Sequence, residues 1–361
     1  MERIIDNDEL VRSIAQNRSP EERELTYKPD RIGKYLVKYM DDFIFVEFSD
    51  EYLKACGVYD FMKGISIPLR KTAQDYDDAE DKDETEGYAD IDAEDVPISV
   101  IGENMAFVMG TDPKFVYNHA YKRFIFRFLG SRTTELLCAD AGKAAEKGDM
   151  DRACILFRAA LVWMPDDPEA MFGYARVCGE MYQNSSDEEY IGNFKAESFD
   201  YFELLTELHP ELEEGWYYLG YMYLNFGLYS KSAIAWEKYL NLAEDNKRAQ
   251  EIRDRLNQIE EPIKIEKAYN LVLGSRWEEG LAALTEFTDG KYKDWWPLWY
   301  YIGVANSNIG NTDDAIEAFT KVLRINGSQI ATMNELIEIY EELGDEEMVT
   351  KYTKKIEILS E

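Results

Sequence analysis

At 361 residues the chain is long enough for two domains and a sizeable core. Its 72 acidic residues against 40 basic ones leave a formal charge of -32, which argues against nucleic acid, whose phosphates need clustered Lys and Arg, and against docking on anionic membranes. No apolar run approaches the ~20 residues of a membrane span, and the opening MERIIDNDELVRSI is charged at once without the apolar core of a secretory signal, so a cytoplasmic protein is expected.

In chain order, Asp6–Asn17 and Ser19–Tyr27 carry helix signals, the second with Ser19 as cap and Pro20 at its first position. Asp30–Met40 reads as a third helix. Phe43–Phe48 and Ile65–Leu69 are short, aromatic or β-branched runs that read as strands, and Pro68 confines the second to an edge. Residues 73–95 are dominated by Asp and Glu, whose mutual repulsion predicts a disordered loop closing a small α+β region over 1–95. A docking tail for a basic partner or a weak calcium site is the sharper alternative, but an EF-hand is not expected, because Glu86 stands where the loop requires glycine. Residues 96–133 read as a helical capping pair. Met105, Phe107, Val108 and Met109 end at Gly110, and Asp112 and Pro113 then cap a long helix bearing Phe115, Val116, Tyr121 and Phe124.

From residue 134 a period emerges. Trp216–Leu240 and Trp299–Leu323 are near copies in which an aromatic helical face meets a glycine turn, Gly227 or Gly310, and a second amphipathic helix follows. Upstream, Leu137, Ala141, Gly148, Ala153, Phe157 and Ala160 fit the same frame. Met171, Tyr174 and Ala175 open the next unit, but its second helix, with Ser198, Phe202 and Leu205, comes late, and the surplus in residues 183–193 predicts a polar loop. A weaker unit carries Ala268, Leu271, Trp277 and Leu284, and the surplus before it, 244–260, predicts an extra or extended helix. Met333, Leu336, Tyr340, Gly344 and Ile356 fit a worn final unit.

This pattern resembles the tetratricopeptide repeat, a helix pair of about 34 residues marked by Trp, Leu-Gly, Tyr, then Ala, Phe, Ala and Pro. About six such repeats would cover 134–361, giving a mainly α fold, an α-α superhelix preceded by the small α+β region. In that family the first helices line a concave groove. The resemblance places Phe172, Arg176, Tyr217, Tyr221, Asn225, Tyr269, Tyr300 and Asn308 on it, with Leu224, Ile265, Val272, Val304 and Ser307 beside them. It implies a non-catalytic scaffold or adaptor binding a protein or peptide segment through tyrosine anchors and asparagine amides. Tyr217 and Tyr300 stand at the lysine position of the chaperone-tail carboxylate clamp, and Tyr221 and Val304 at its asparagine position. The clamp is therefore not expected.

Chemistry-bearing motifs are scarce. His119 and His209 are far apart, the cysteines Cys56, Cys138, Cys154 and Cys178 form no CxxC pair, and there is neither a phosphate loop nor a nucleophile elbow. No catalytic residue, metal or cofactor is expected, and Cys138, Cys154 and Cys178 read as core. The alternative is an enzyme or small-ligand site within residues 1–130, with the repeats as recruiter. Self-association through the end of the last repeat, around Met333, Ile337 and Ile356, is a third reading.

Overall fold

The computed structural model describes residues 30–71, 94, 96–183 and 185–360, in which seventeen α-helices accompany one two-stranded sheet. The helices expected at Asp6–Asn17 and Ser19–Tyr27, and nearly all of the acidic stretch, lie outside these residues. The chain divides into two compact units, 1–219 and 220–361.

The first unit opens with α1, Gly33–Leu36, which tightens into a 3-10 helix over Val37–Asp42 and enters strand β1, Phe43–Val46. The single helix expected over 30–40 is thus split. Gly33 and the β-branched Ile32 and Val37 weaken an α-helix there, and a 3-10 turn advances the chain faster per residue. Helices α2, Asp50–Ala55, and α3, Tyr59–Met62, lead to β2, Ile67–Arg70, which pairs antiparallel with β1 from Phe43↔Arg70 to Val46↔Ile67. Pro68 has no N–H to give, and its carbonyl accepts a bond from Asn104 Nδ2 at 3.1 Å.

Helix α4, Ile98–Thr111, continues through Gly110 instead of ending at it. A Cβ at Gly110 would overlap the carbonyl of Ile155, so the glycine lets α4 cross a neighbouring helix backbone to backbone. Helix α5, Asn118–Leu129, starts later than expected. Asp112 takes up the Lys114 N–H instead of capping it, and Phe115 precedes the helix, its ring against Phe45 and Tyr121. Four repeat helices follow: α6, Thr133–Glu146; α7, Met150–Trp163; α8, Pro168–Gln183; and α9, Glu188–Leu208.

Helix α9 corrects the sequence reading of a polar loop over 183–193. Asp187 accepts the N–H groups of Glu189 and Tyr190 as N-cap, and residues 188–193 are its first turns. Those turns receive the segment entering β1. Lys34 bonds Glu189, Asn193 Nδ2 donates to the Tyr35 hydroxyl at 3.2 Å, and the Tyr35 ring packs 4.9 Å from Tyr190 and 5.7 Å from Phe194. Arg31 pairs with Asp200 at 2.7 Å, Asp30 meets Arg158 of α7 at 2.6 Å, and Tyr39 donates to Asp151.

Helix α10, Glu213–Asn225, contains the division between the units. The second unit continues with α11, Tyr229–Leu242; α12, Lys247–Leu273; α13, Trp277–Thr285; α14, Trp296–Asn308; α15, Thr312–Ile325; α16, Ile330–Leu343; and α17, Glu346–Ser360. Within its helix pairs the small residues do the work their spacing implied. A Cβ on Gly220 would overlap the Trp236 indole, and one on Gly303 would overlap the Phe319 ring. The turns at Gly227 and Gly310 run at φ 71° and 83°, where a side chain is strained. The surplus 244–260 is the first half of α12, a 27-residue helix continuous through Pro262. Ala249, Ile252 and Ile259 bury its apolar stripe. At the far end, Met333 is core and not exposed surface as the self-association reading required, packed with Phe319, Leu336 and Tyr352. Ile337 and Ile356 are half-buried against the same cluster.

Candidate functional site

Within each unit the face expected to bind a partner is built from the first helices of the repeats: α6, α8 and the start of α10 in the first unit, and the rest of α10, the second half of α12, α14 and α16 in the second. One contact recurs between successive first helices. The residue just after the Trp position reaches the residue two past the Trp position of the following repeat. In the first unit Phe172 meets Tyr218, 5.6 Å between centroids, and Tyr218 also stacks on Phe202 at 5.4 Å and 10°. In the second unit Tyr269 stacks on Tyr301 at 4.8 Å and 15°, and the Tyr300 hydroxyl donates to Glu335 Oε1 at 3.3 Å. Each Tyr-Tyr doublet therefore splits its tasks. The second ring packs backward, and the first ring of the second doublet, Tyr300, reaches forward to Glu335.

Tyr218 and Tyr301 were missed in the sequence, although the doublets Tyr217-Tyr218 and Tyr300-Tyr301 follow the two strongest tryptophans and carried the signal. Ile265 and Val272, placed on the groove by the repeat frame, are instead buried core of the second unit. Helix α12 turns that side inward toward Leu284 and Leu298.

The remaining side chains are accessible to different degrees. Arg176 is exposed, 5.1 Å from the Tyr218 ring and 3.9 Å from Glu180. Tyr217 is half-buried, edge-on to Tyr218 at 5.1 Å. Tyr221 packs edge-on against Trp236 at 5.0 Å and donates to Glu251 Oε1 at 2.6 Å. Asn225 and Asn308 are exposed, the latter with its amide bonded to the Val304 carbonyl of its own helix at 2.8 Å. Burial pushes the Tyr269 and Tyr300 hydroxyls up to about 12, so both are neutral donors at physiological pH. Burial also raises the Glu335 carboxyl, against the Tyr300 hydrogen bond and with help from Glu338.

His209 and the cysteines of the repeats occupy structural positions. His209 Nε2 lies 2.8 Å from the Asp166 carbonyl, closing the end of α9. Cys138, Cys154 and Cys178 are buried, and desolvation pushes the Cys138 thiol up to about 12. Among the described residues no group of three or more His, Cys, Asp or Glu is placed to hold a metal, and no helix is long and apolar enough to cross a membrane.

Residues 297–329, which span α14 and α15, match the tetratricopeptide repeat family. The chain carries a tetratricopeptide repeat there. Its matched repeat is the one in which Gly303 lies beneath Phe319 and Gly310 makes the turn. Solved tetratricopeptide-repeat structures are similar at low identity. The P58(IPK) domain is 16% identical over 62% of this chain and 59% of its own, with a TM-score of 0.38. A tetratricopeptide repeat protein from Parabacteroides merdae is 15% identical over 73% and 87%, with a TM-score of 0.29. PilW, a type IV pilus biogenesis factor, is 13% identical over 63% and 94%, with a TM-score of 0.31. No curated protein matches the sequence.

Proposed function

We propose that the protein is a non-catalytic scaffold that binds a partner protein by laying one of its segments along the first-helix face of the repeats within one of the two units. The residues assigned to this contact are Phe172, Arg176 and Tyr217 in the first unit, and Tyr221, Asn225, Tyr269, Tyr300 and Asn308 in the second. The observation that carries the reading is the pairing of half-buried tyrosines with exposed asparagines along that face in the second unit. Rings already held by a neighbour lose little further conformational freedom on binding, and an extended or helical segment offers carbonyls and N–H groups to exposed amides. The side chains at the clamp positions are tyrosine and valine, which supports a segment with apolar anchors over a terminal carboxylate.

The test is capture of partners from native lysate by three full-length baits: the parent, Phe172→Ala with Arg176→Ala, and Tyr300→Ala with Asn308→Ala. The reading expects a specific partner to be retained by the parent and lost or weakened by one of the double variants, with helical content unchanged. Retention of the same partner by all three baits sinks the assignment to this face.

A further inference from the structure

A second feature lies in the first unit and is lined by none of the residues assigned to partner binding. Arg70, at the end of β2, and Arg152, in the first turn of α7, both sit over the ring of Phe107, at 4.8 and 5.8 Å from its centroid. They line a cleft of about 260 Å³. In a chain with 72 acidic residues, the Arg152 guanidinium makes no ion pair among the described residues, and the partly buried Arg70 pairs there with Asp42 at a long 3.4 Å. Two guanidinium groups lining one cleft, where Glu103 and Asp140 also stand but pair with neither, offer donors suited to an oxyanion. Burial, and then the charge of Arg152, lowers the Arg70 guanidinium, against Asp42 and Asp149.

Sharing Glu103, Leu137 and Asp140 with that cleft is a second, mainly apolar cleft of about 140 Å³ with Ala106, Ile125 and Leu136 in its lining. Asp140 is already paired with Lys143 at 2.8 Å. Glu103 lines both clefts and disfavours a ligand that is negative along its length. The shape and charge fit one anionic head and one apolar tail.

We propose that this pair of clefts binds a small amphiphilic anion, a carboxylate or phosphate monoester whose oxyanion bridges Arg70 and Arg152 and whose alkyl chain lies against Ile125 and Leu136. The site shares none of the residues assigned to partner binding. Calorimetric titration of the full chain with hexyl phosphate, hexanoate, inorganic phosphate and hexylamine, at one ionic strength, tests it. The expected result is saturable 1:1 binding of hexyl phosphate or hexanoate, at least tenfold tighter than inorganic phosphate, with no binding of hexylamine. The tighter of the two anions identifies the head group. Arg152→Gln, an exposed change, should weaken binding at least tenfold with an unaltered melting temperature, and Leu136→Asp should abolish the advantage over inorganic phosphate. Non-saturating heats, equal binding of hexylamine, or affinity unchanged in both variants would overturn the proposal.

Discussion

Tyr269 and Tyr301 stack at 4.8 Å and 15°, joining the first helices of two successive repeats across 32 residues of sequence. A residue that sequence places on a binding face is thereby shown to be a junction residue as well. Offset-stacked aromatic pairs contribute about 0.5–1.5 kcal/mol beyond the area they bury. A double-mutant cycle of Tyr269→Leu and Tyr301→Leu by urea unfolding should return a coupling in that range, and a coupling near zero would mean that the stacking contributes only area.

Gly220 and Gly192 are both helical glycines, yet opposite outcomes are expected on substitution by alanine. At Gly220 the new methyl meets the Trp236 indole inside the second unit, and overpacking of this kind costs about 1–3 kcal/mol. At Gly192, exposed in the added turns of α9, nothing lies within 4 Å, so the gain in helix propensity should stabilise by up to about 1 kcal/mol. Thermal unfolding of the two variants distinguishes the roles.

Arg158 is only 5% exposed and faces Asp30 at 2.6 Å, so the ion pair is unequal in burial. Removing the acid leaves a buried guanidinium without its counter-charge, whereas replacing the base by an apolar isostere leaves a carboxylate that water can reach. Asp30→Ala is therefore expected to lower the melting temperature more than Arg158→Met. The reverse order would show that the guanidinium is satisfied by other groups, such as Tyr174.

Glu335 supplies a pH-dependent test. Its carboxyl is raised by burial, so the native state binds its proton more tightly than the unfolded chain does. The stability linked to that proton is present below the unfolded pKa and is lost as pH rises through the raised one. Glu335→Gln keeps an acceptor for the Tyr300 hydroxyl and removes the charge. Its melting temperature relative to the parent should be more favourable at pH 7.5 than at pH 4, and an equal difference at both would show that Glu335 is not raised.

Much of the second unit was legible in the sequence because its determinants are local. A Trp, a glycine three or four residues on and an alanine in the next helix fix a helix pair by spacing alone, and Gly220 under Trp236 and Gly303 under Phe319 realise that spacing directly. The turn at Gly310 is written in a single residue whose backbone conformation few others adopt. The first unit was harder to read. Gly110 looks like a helix end in one dimension, and only the crossing of α4 over α7 reveals a close approach.

The sequence alone determined the helix-pair repeat, its glycine turns and the existence of two short strands, since propensity, periodicity and backbone conformation act over a few residues. Tertiary structure decided what the surplus residues are for. The polar run 188–193 became the first turns of α9 because Lys34 and Tyr35, more than 150 positions earlier, pack against it. It also decided which side of α12 is core, burying Ile265 and Val272, and which tyrosine of each doublet packs backward. These choices depend on partners far away in the chain, and a single sequence carries no record of distance in space.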